Sequence, residues 1–420
     1  MRADEKYLFA RRFAVHVGVD TGKAFHKLVA RGPEGRRQPP FKVLVNRKGF
    51  EEAHAHLREM FPNHGPADFL VGLEFAGHHG YTFAHFLAAK GYHVVSVLPA
   101  HTKKAKELED NSPLKSDDKD ARLICKLTGD GVFVPFPFLD TPYVELKVLV
   151  THRHRLTVEQ TRFRNRLQTI LDLAWPEFLG HFTNLTKRTP LAILERWPLP
   201  QDILAASPET VLRLVKKVSR NHIKPTKVRA LLASARETVG LMDGADQRRD
   251  EMKDLFARWR LLRAQLDELD TQIAALVELC PEAERLMTVP EIGTLCAATI
   301  VAELGTPDSY AHPAQVLKLA GMNLVGRDSG LSVSGRRWQS KRGRPMLRRQ
   351  LFLLAGRWCS PRGLMRNEYV SLKERNGNCK TKAVAAIARK IVPVLFHVMK
   401  SGDGFDYERY YRNRRRKDAA

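Results

Sequence analysis

Cysteine is scarce in this chain. The five residues Cys125, Cys280, Cys296, Cys359 and Cys379 are scattered, and no two form a C-x-x-C pair. Such spacing argues against a disulfide framework and a structural zinc site, and it reads as a reducing, cytoplasmic protein. Long apolar runs are missing too. None reaches the roughly eighteen residues of a membrane-spanning helix. The stretch Met1-Arg2-Ala3-Asp4-Glu5-Lys6 lacks the apolar core of a signal peptide, so no membrane partner is expected. The histidine pairs His54/His56, His78/His79 and His152/His154 have neither paired cysteines nor well-placed acids beside them. Acid is the third shortage: 46 Asp and Glu stand against 70 Lys and Arg, a formal net charge of +24. That excess carries self-repulsion which a polyanion relieves, so nucleic acid is the leading partner. What is present in quantity is ordinary core material, 43% hydrophobic residues in 420, enough for two or three domains.

The first apolar run, residues 13–23, alternates Phe13, Val15, Val17 and Val19 with small or polar residues and stops on Asp20 before Thr21-Gly22. Period two predicts a strand that ends on a carboxylate. Short apolar runs at 25–30 and 41–45 predict two further strands, paired antiparallel across short connections. Helical spacing follows over 49–61 and is stopped by Pro62. Residues 68–74 are apolar almost throughout, as in a strand covered on both faces, and end on Glu74. A helix over 81–90 and a strand over 92–97 complete the order of a ribonuclease H-like fold.

Lys115-Ser116-Asp117-Asp118-Lys119-Asp120-Ala121 opens a further helix. Acids in a first turn are accounted for by the helix macrodipole alone. Asp117 and Asp120, however, are three apart and share a helix face, which Asp118 does not. With Asp20 and Glu74 they make a set of oxygen ligands suited to Mg²⁺, which acts on phosphates.

Pro135, Pro137 and Pro142 mark a linker. Residues 144–174 are helical and basic, with Arg153, Arg155, Arg162, Arg164 and Arg166 close together, either a solvated face or one that tracks phosphates. Prolines then break the chain into short helices. From 246 to 279, Leu255, Trp259, Leu262, Leu266, Leu269, Ile273 and Leu276 recur at steps of three and four, which permits a coiled coil within the chain or between subunits. Residues 286–300 look like a helix-hairpin-helix, with Glu291 where that motif usually has glycine; the acid weakens phosphate contact and leaves a structural role open. A loop follows that carries Arg327, Ser329, Ser332 and Ser334. From Arg336 to Arg349 there are seven basic residues (Arg336, Arg337, Lys341, Arg342, Arg344, Arg348, Arg349) and no acid, which points to nucleic-acid backbone contact. The helix over 382–399 reads as packing, and the Arg- and Tyr-rich tail over 407–417 is expected to lack structure until bound.

The order Asp20, Glu74, Asp117, Asp120 resembles the DEDD signature of RuvC-like insertion-sequence transposases of the IS110 class, in which Lys-Ser/Thr-Asp-x-x-Asp-Ala is characteristic. The second catalytic module of that family has a helix-hairpin-helix, an Ala-Gly element, a Ser-Gly element and Ser-Lys-Arg-Gly. All four occur here in that order, the last three as Ala320-Gly321, Ser329-Gly330 and Ser340-Lys341-Arg342-Gly343. The resemblance covers roughly 13–130 and 284–355 and implies an α/β plus α architecture. In it a RuvC-like (ribonuclease H-like) domain spans 1–135 and a basic helical region with coiled coil spans 136–280. A mainly helical serine transposase domain with a helix-hairpin-helix follows over 281–400, then a basic tail over 401–420. It implies a DNA recombinase with Mg²⁺ on Asp20, Glu74, Asp117 and Asp120, and Ser329 as nucleophile forming a phosphoserine link, with Ser332 and Ser334 as alternatives. DNA, a bridge RNA that guides it, and a homodimer or homotetramer are the implied partners. A Holliday-junction resolvase using water, and a non-enzymatic RNA- or DNA-binding protein, are the competing readings.

Overall fold

The computed structural model describes residues 3–75, 77–109, 117–136, 138–326 and 337–418, with the backbone alone at 108, 109, 117, 118 and 413–418. The chain divides into two units, Met1–Phe138 and Leu139–Ala420.

The first unit runs α1 (Ala3–Ala10), β1 (Val15–Thr21), β2 (Phe25–Arg31), β3 (Phe41–Leu44), α2 (Arg47–Met60), β4 (Phe69–Glu74) and α3 (Tyr81–Ala89). It continues with β5 (His93–Val97), α4 (Pro99–Glu109), α5 (Asp117–Gly129) and β6 (Val134–Pro135). The strands form one sheet in the order β3-β2-β1-β4-β5-β6. β1 to β3 are antiparallel, β1, β4 and β5 are parallel, and β6 is antiparallel to β5. Alternation along β1 sends Val15, Val17 and Val19 to one face, where they meet Phe50, Leu57 and Phe83 of α2 and α3. β4 is apolar on both faces because both are covered: Val71 and Leu73 join that same core, while Leu70 packs with Leu123 and Ile124 of α5.

α5 comes unusually close to the sheet. Gly18 of β1 and Gly72 of β4 are register partners. A Cβ on Gly18 would lie 2.1 Å from the Cys125 backbone nitrogen, and one on Gly72 would lie 1.9 Å from Thr128 Oγ1. Two adjacent residues without side chains therefore form the seat on which the helix rests. The Cys125 thiol reaches back to the His16 carbonyl at 3.3 Å.

Among the described residues the second unit is helical apart from one two-stranded ribbon. It opens with α6 (Tyr143–Ala174), α7 (Pro176–His181), α8 (Arg188–Arg196), α9 (Pro200–Leu204), α10 (Pro208–Ser219), α11 (Pro225–Arg236) and α12 (Ala245–Val277). There follow α13 (Pro281–Met287), α14 (Thr294–Leu304), α15 (Pro313–Leu319), β7 (Leu324–Val325), β8 (Trp338–Gln339) and α16 (Pro345–Trp358). The unit ends with α17 (Arg366–Arg375), α18 (Lys380–Lys400) and α19 (Tyr407–Asp418). Several of the prolines that interrupt the middle segment sit at helix starts, in α7, α9, α10 and α11, where the missing N–H is no loss.

α6 and α12 are antiparallel partners. Arg153 pairs with Asp270, the Phe163 and Trp259 rings stack at 4.6 Å, and Arg166 pairs with Glu251. The seam of α12 is thus filled within the chain, by helices about 48 Å long. One end of the pair enters a core with α7 to α11, and the other enters a core with α13 to α18. The middle and C-terminal segments consequently form one unit with two cores. The tail differs from expectation: it is helical in α19. Asp406 Oδ1 accepts from the Arg409 backbone N–H at 3.0 Å, and the Tyr410 ring meets Phe405 at 5.5 Å, so a cap and an aromatic anchor hold it.

Gly18→Ala is expected to lower the unfolding free energy by roughly 1–3 kcal/mol, because the added methyl has no room beneath α5. Urea denaturation measures this, and an unchanged midpoint contradicts the close seat.

Candidate functional site

The seat of α5 determines where the acids go. Side chains alternate along a strand, so Asp20 shares a face with Gly18, and Glu74 shares a face with Gly72. Both carboxylates therefore point to the side of the sheet that carries α5. Asp20 and Glu74 are register partners on parallel neighbours, so their backbones stand about 4.8 Å apart. The Thr21 hydroxyl donates to the Glu74 carbonyl at 2.6 Å and ties the two strand ends together.

α5 runs opposite to β1. Its C-terminal residue Gly129 lies against His16 and Arg31, and Ala121 lies over Gly18. The first turn of the helix is thereby carried toward the strand ends, where Asp20 and Glu74 are. Asp120 is 8% exposed and is paired with Lys106 Nζ of α4 at 2.5 Å. Asp117 is the first residue of α5, and its side chain lies outside the description. Among the described residues no three His, Cys, Asp or Glu side chains form a group that could hold a metal ion.

Two cations near the acids were not expected from sequence. Lys27 of β2 faces Asp20 in register and shares the α5 side of the sheet. Its signal was present in the alternation with Val29. Lys106 had none, because α4 was not predicted. On the opposite face His26 is buried beside Phe83, and burial, followed by the field of His79, pushes its imidazole down to about 4.

In the second unit, the ribbon β7–β8 brackets residues 327–336, so Arg327, Ser329, Ser332, Ser334 and Arg336 lie outside the described residues. The described residues on either side of this stretch are tied to one another. Ser340 Oγ donates to Asn323 Oδ1 at 2.6 Å, and the Lys341 and Arg344 backbone N–H groups donate to the Gly321 and Leu319 carbonyls. A Cβ on Gly343 would lie 2.2 Å from the Leu319 oxygen, so only glycine fits there. Arg344 donates to the Glu303 carbonyl and lies 3.9 Å from its carboxylate, which Lys147 also contacts. Arg348 donates to the Ala320 and Lys341 carbonyls. Both guanidiniums, expected on nucleic acid, make hydrogen bonds to backbone carbonyls of this frame. Arg337, Lys341, Arg342 and Arg349 are exposed, as is half of the Trp338 ring. Sequence reading missed Glu303, which is 2% exposed inside an otherwise apolar helix.

The five arginines of α6 divide. Arg153, Arg162 and Arg166 are bound by Asp270, Glu159 and Glu251. Arg155 and Arg164 are exposed and have no ion-pair partner among the described residues.

Residues 17–176 match the model of DEDD transposases of the IS110 type, and residues 283–369 match that of the transposase IS116/IS110/IS902 family. The chain is therefore a transposase, an enzyme that recombines DNA. Within that class it belongs to the IS110-type insertion-sequence family. A 44.8 kDa protein of insertion element IS116 from Streptomyces clavuligerus is 24% identical over 398 residues, 93% of this chain and 96% of that one. A 43.6 kDa protein of IS110 from Streptomyces coelicolor is 25% identical over 297 residues, 70% of this chain and 72% of that one. The pilin gene-inverting protein of Moraxella bovis is 26% identical over 145 residues, 34% of this chain and 45% of that one.

The different duties of neighbouring basic residues give a stability test. Arg344→Ala should cost roughly 1.5–3 kcal/mol, because it removes a guanidinium bond to the Glu303 carbonyl and one of two cations from a buried carboxylate. Arg342→Ala should stay within about 0.5 kcal/mol of wild type. Chemical denaturation of both variants separates them, and equal losses contradict the assignment.

Proposed function

We propose that this transposase cuts and exchanges DNA strands through a covalent phosphoserine link, using groups from both of its units. The acids of the first unit, which we take as a ribonuclease H-like (RuvC-like) catalytic domain over 1–135, would hold Mg²⁺ on Asp20, Glu74, Asp117 and Asp120. The observation that carries this reading is the in-register pair Asp20–Glu74 under the first turn of α5. The donor set is all oxygen, as a hard cation requires, and Asp120 already accepts a positive group in the Lys106 ammonium. When bound, the ion supplies Lewis-acid polarisation of a phosphate and stabilisation of the leaving oxygen.

The remaining steps belong to the chain. Ser329 would be the nucleophile: its Oγ bonds to phosphorus as the bond from phosphorus to the sugar oxygen breaks, and the departing sugar leaves as a free hydroxyl. Strand exchange is the reverse step with a new hydroxyl, so the energy of the broken bond is retained in the phosphoserine ester. Arg337, Lys341, Arg342 and Arg349, with Arg327 and Arg336 of the serine loop, would neutralise backbone phosphates. Arg155 and Arg164 would do the same along α6. A bridge RNA would supply sequence recognition by base pairing, and a homodimer or homotetramer would unite the halves of the site. The likeness to a protein named for inverting a pilin gene supports recombination as the outcome. The paired helices α13 and α14 we read as the helix-hairpin-helix of a serine transposase domain over 281–400. Glu291 adopts a φ of +67° there, a conformation that usually belongs to glycine.

On a suicide DNA substrate with Mg²⁺, wild type should leave DNA covalently attached to protein, and Ser329→Ala should leave none. Asp120→Asn should abolish cleavage while nucleic-acid binding stays near normal. An adduct lost only in Ser332→Ala or Ser334→Ala would move the nucleophile to that residue. Free hydrolysed ends from wild type and Ser329→Ala alike would overturn the covalent mechanism in favour of water.

A further inference from the structure

A cleft of about 460 Å³ opens in the second unit between α6, the start of α14 and α16. Arg153 and His154 line it from α6, Arg349 and Arg357 from α16, and Gly293 and Thr294 from the start of α14. No acid is among its lining residues. Asp270 holds Arg153 from outside the cleft, and Arg357 uses one nitrogen on the Glu291 carbonyl at 2.8 Å. Arg349 has no ion-pair partner among the described residues. Three guanidiniums thus converge on one space, and only one of them is neutralised.

The start of α14 adds donors. Gly293 caps the helix without a side-chain bond, and the first turn carries no acid. The backbone N–H groups of Thr294 and Leu295 have no acceptor among the described residues. A Cβ on Gly293 would meet nothing within 4 Å, so the helix start is open. The local potential is felt by His154: burial first, and then the Arg349 guanidinium, push its imidazole below the usual range. An anion in the cleft would relieve that crowding.

We infer that this cleft clamps one phosphodiester of a nucleic-acid backbone, with Arg349, Arg153, Arg357 and the free N–H groups of α14 as donors. Guanidinium forks and helix-start amides are both suited to tetrahedral phosphate oxygens. The source of the phosphate rests on the reading of this chain as a nucleic-acid recombinase. Because α6 also pairs with α12, a bound phosphate here would fix the backbone of DNA or RNA relative to the helical pair and to the loop frame anchored by α16. Glu291 is not among the residues that line the cleft, so the acid that weakens phosphate contact in sequence does not face this space.

The test uses the full chain and two variants, Arg349→Gln and Gly293→Asp. Aspartate at 293 is a favourable helix cap in open space, so it should leave the unfolding midpoint unchanged or higher while placing a carboxylate over the donors. Binding is followed by fluorescence anisotropy across a salt series, with a DNA duplex in one arm and an RNA hairpin in the other. Each variant should weaken binding roughly tenfold at fixed salt and reduce the salt slope by about one phosphate for at least one polymer. Unchanged slopes for both polymers in Gly293→Asp overturn the clamp. If polymer binding is unchanged but Gly293→Asp abolishes a thermal upshift by inorganic phosphate, the cleft takes small anions only and the inference fails. Strand cleavage by the wild type is scored separately. Its absence alongside the predicted slopes would remove the recombinase chemistry and leave the clamp standing.

Discussion

The contact on which the first unit depends is the seat of α5 on Gly18 and Gly72. Two neighbouring strands place residues without side chains in register, and the helix backbone descends into the space. Any side chain at Gly18 would lift the helix and move its first turn. Two residues further along each strand, the same alternation presents Asp20 and Glu74 to the same side. The close packing and the convergence of acids are therefore one arrangement viewed at two positions. Such economy also explains why β4 is apolar up to its last residue: the strand is covered on both faces until Glu74 reaches the edge.

The second unit solves a different problem, since residues 337–349 are strongly basic and contain no acid of their own. It does so with a carboxylate placed inside. Glu303 receives Lys147 and Arg344 from two directions, and Arg348 satisfies backbone carbonyls on both sides of the ribbon. Removing one partner of a buried charge is costly, so the frame resists rearrangement while Arg337, Lys341 and Arg342 stay turned outward. Clustered positive charge in sequence thus resolves into two populations, one that builds the loop and one that is available to a polyanion.

Much of the first unit was legible in the sequence because its strands alternate strictly and their ends are punctuated by Gly, Pro and acids. β1 to β5, α2, α3 and α5 fall where periodicity puts them. α1, α4 and β6 do not, since α1 is short and has no apolar face, α4 is short and polar, and β6 is two residues long and ends on a proline. Asp20, Glu74 and Asp120 could be singled out from position, but the cations beside them required the register and a helix with no clear apolar face. Pairing of α6 with α12 was half legible: the seam of α12 is visible, yet nothing in it says that its partner begins about a hundred residues earlier in the same chain. Charge pairing is the property hardest to read from one dimension. Arg153 and Arg164 look alike in sequence, and only the fold gives Asp270 to one and solvent to the other.

In the function proposed above, three separate elements deliver their acids to one metal-binding edge. Replacing Mg²⁺ by Fe²⁺ and generating hydroxyl radicals at the bound ion tests it most directly, because the backbone is then cut wherever it approaches the ion. Cuts are expected at the end of β1 near Asp20, the end of β4 near Glu74 and the start of α5, all lost together in Asp20→Asn. Cuts confined to one of these elements, or a pattern that Asp20→Asn leaves intact, would contradict it.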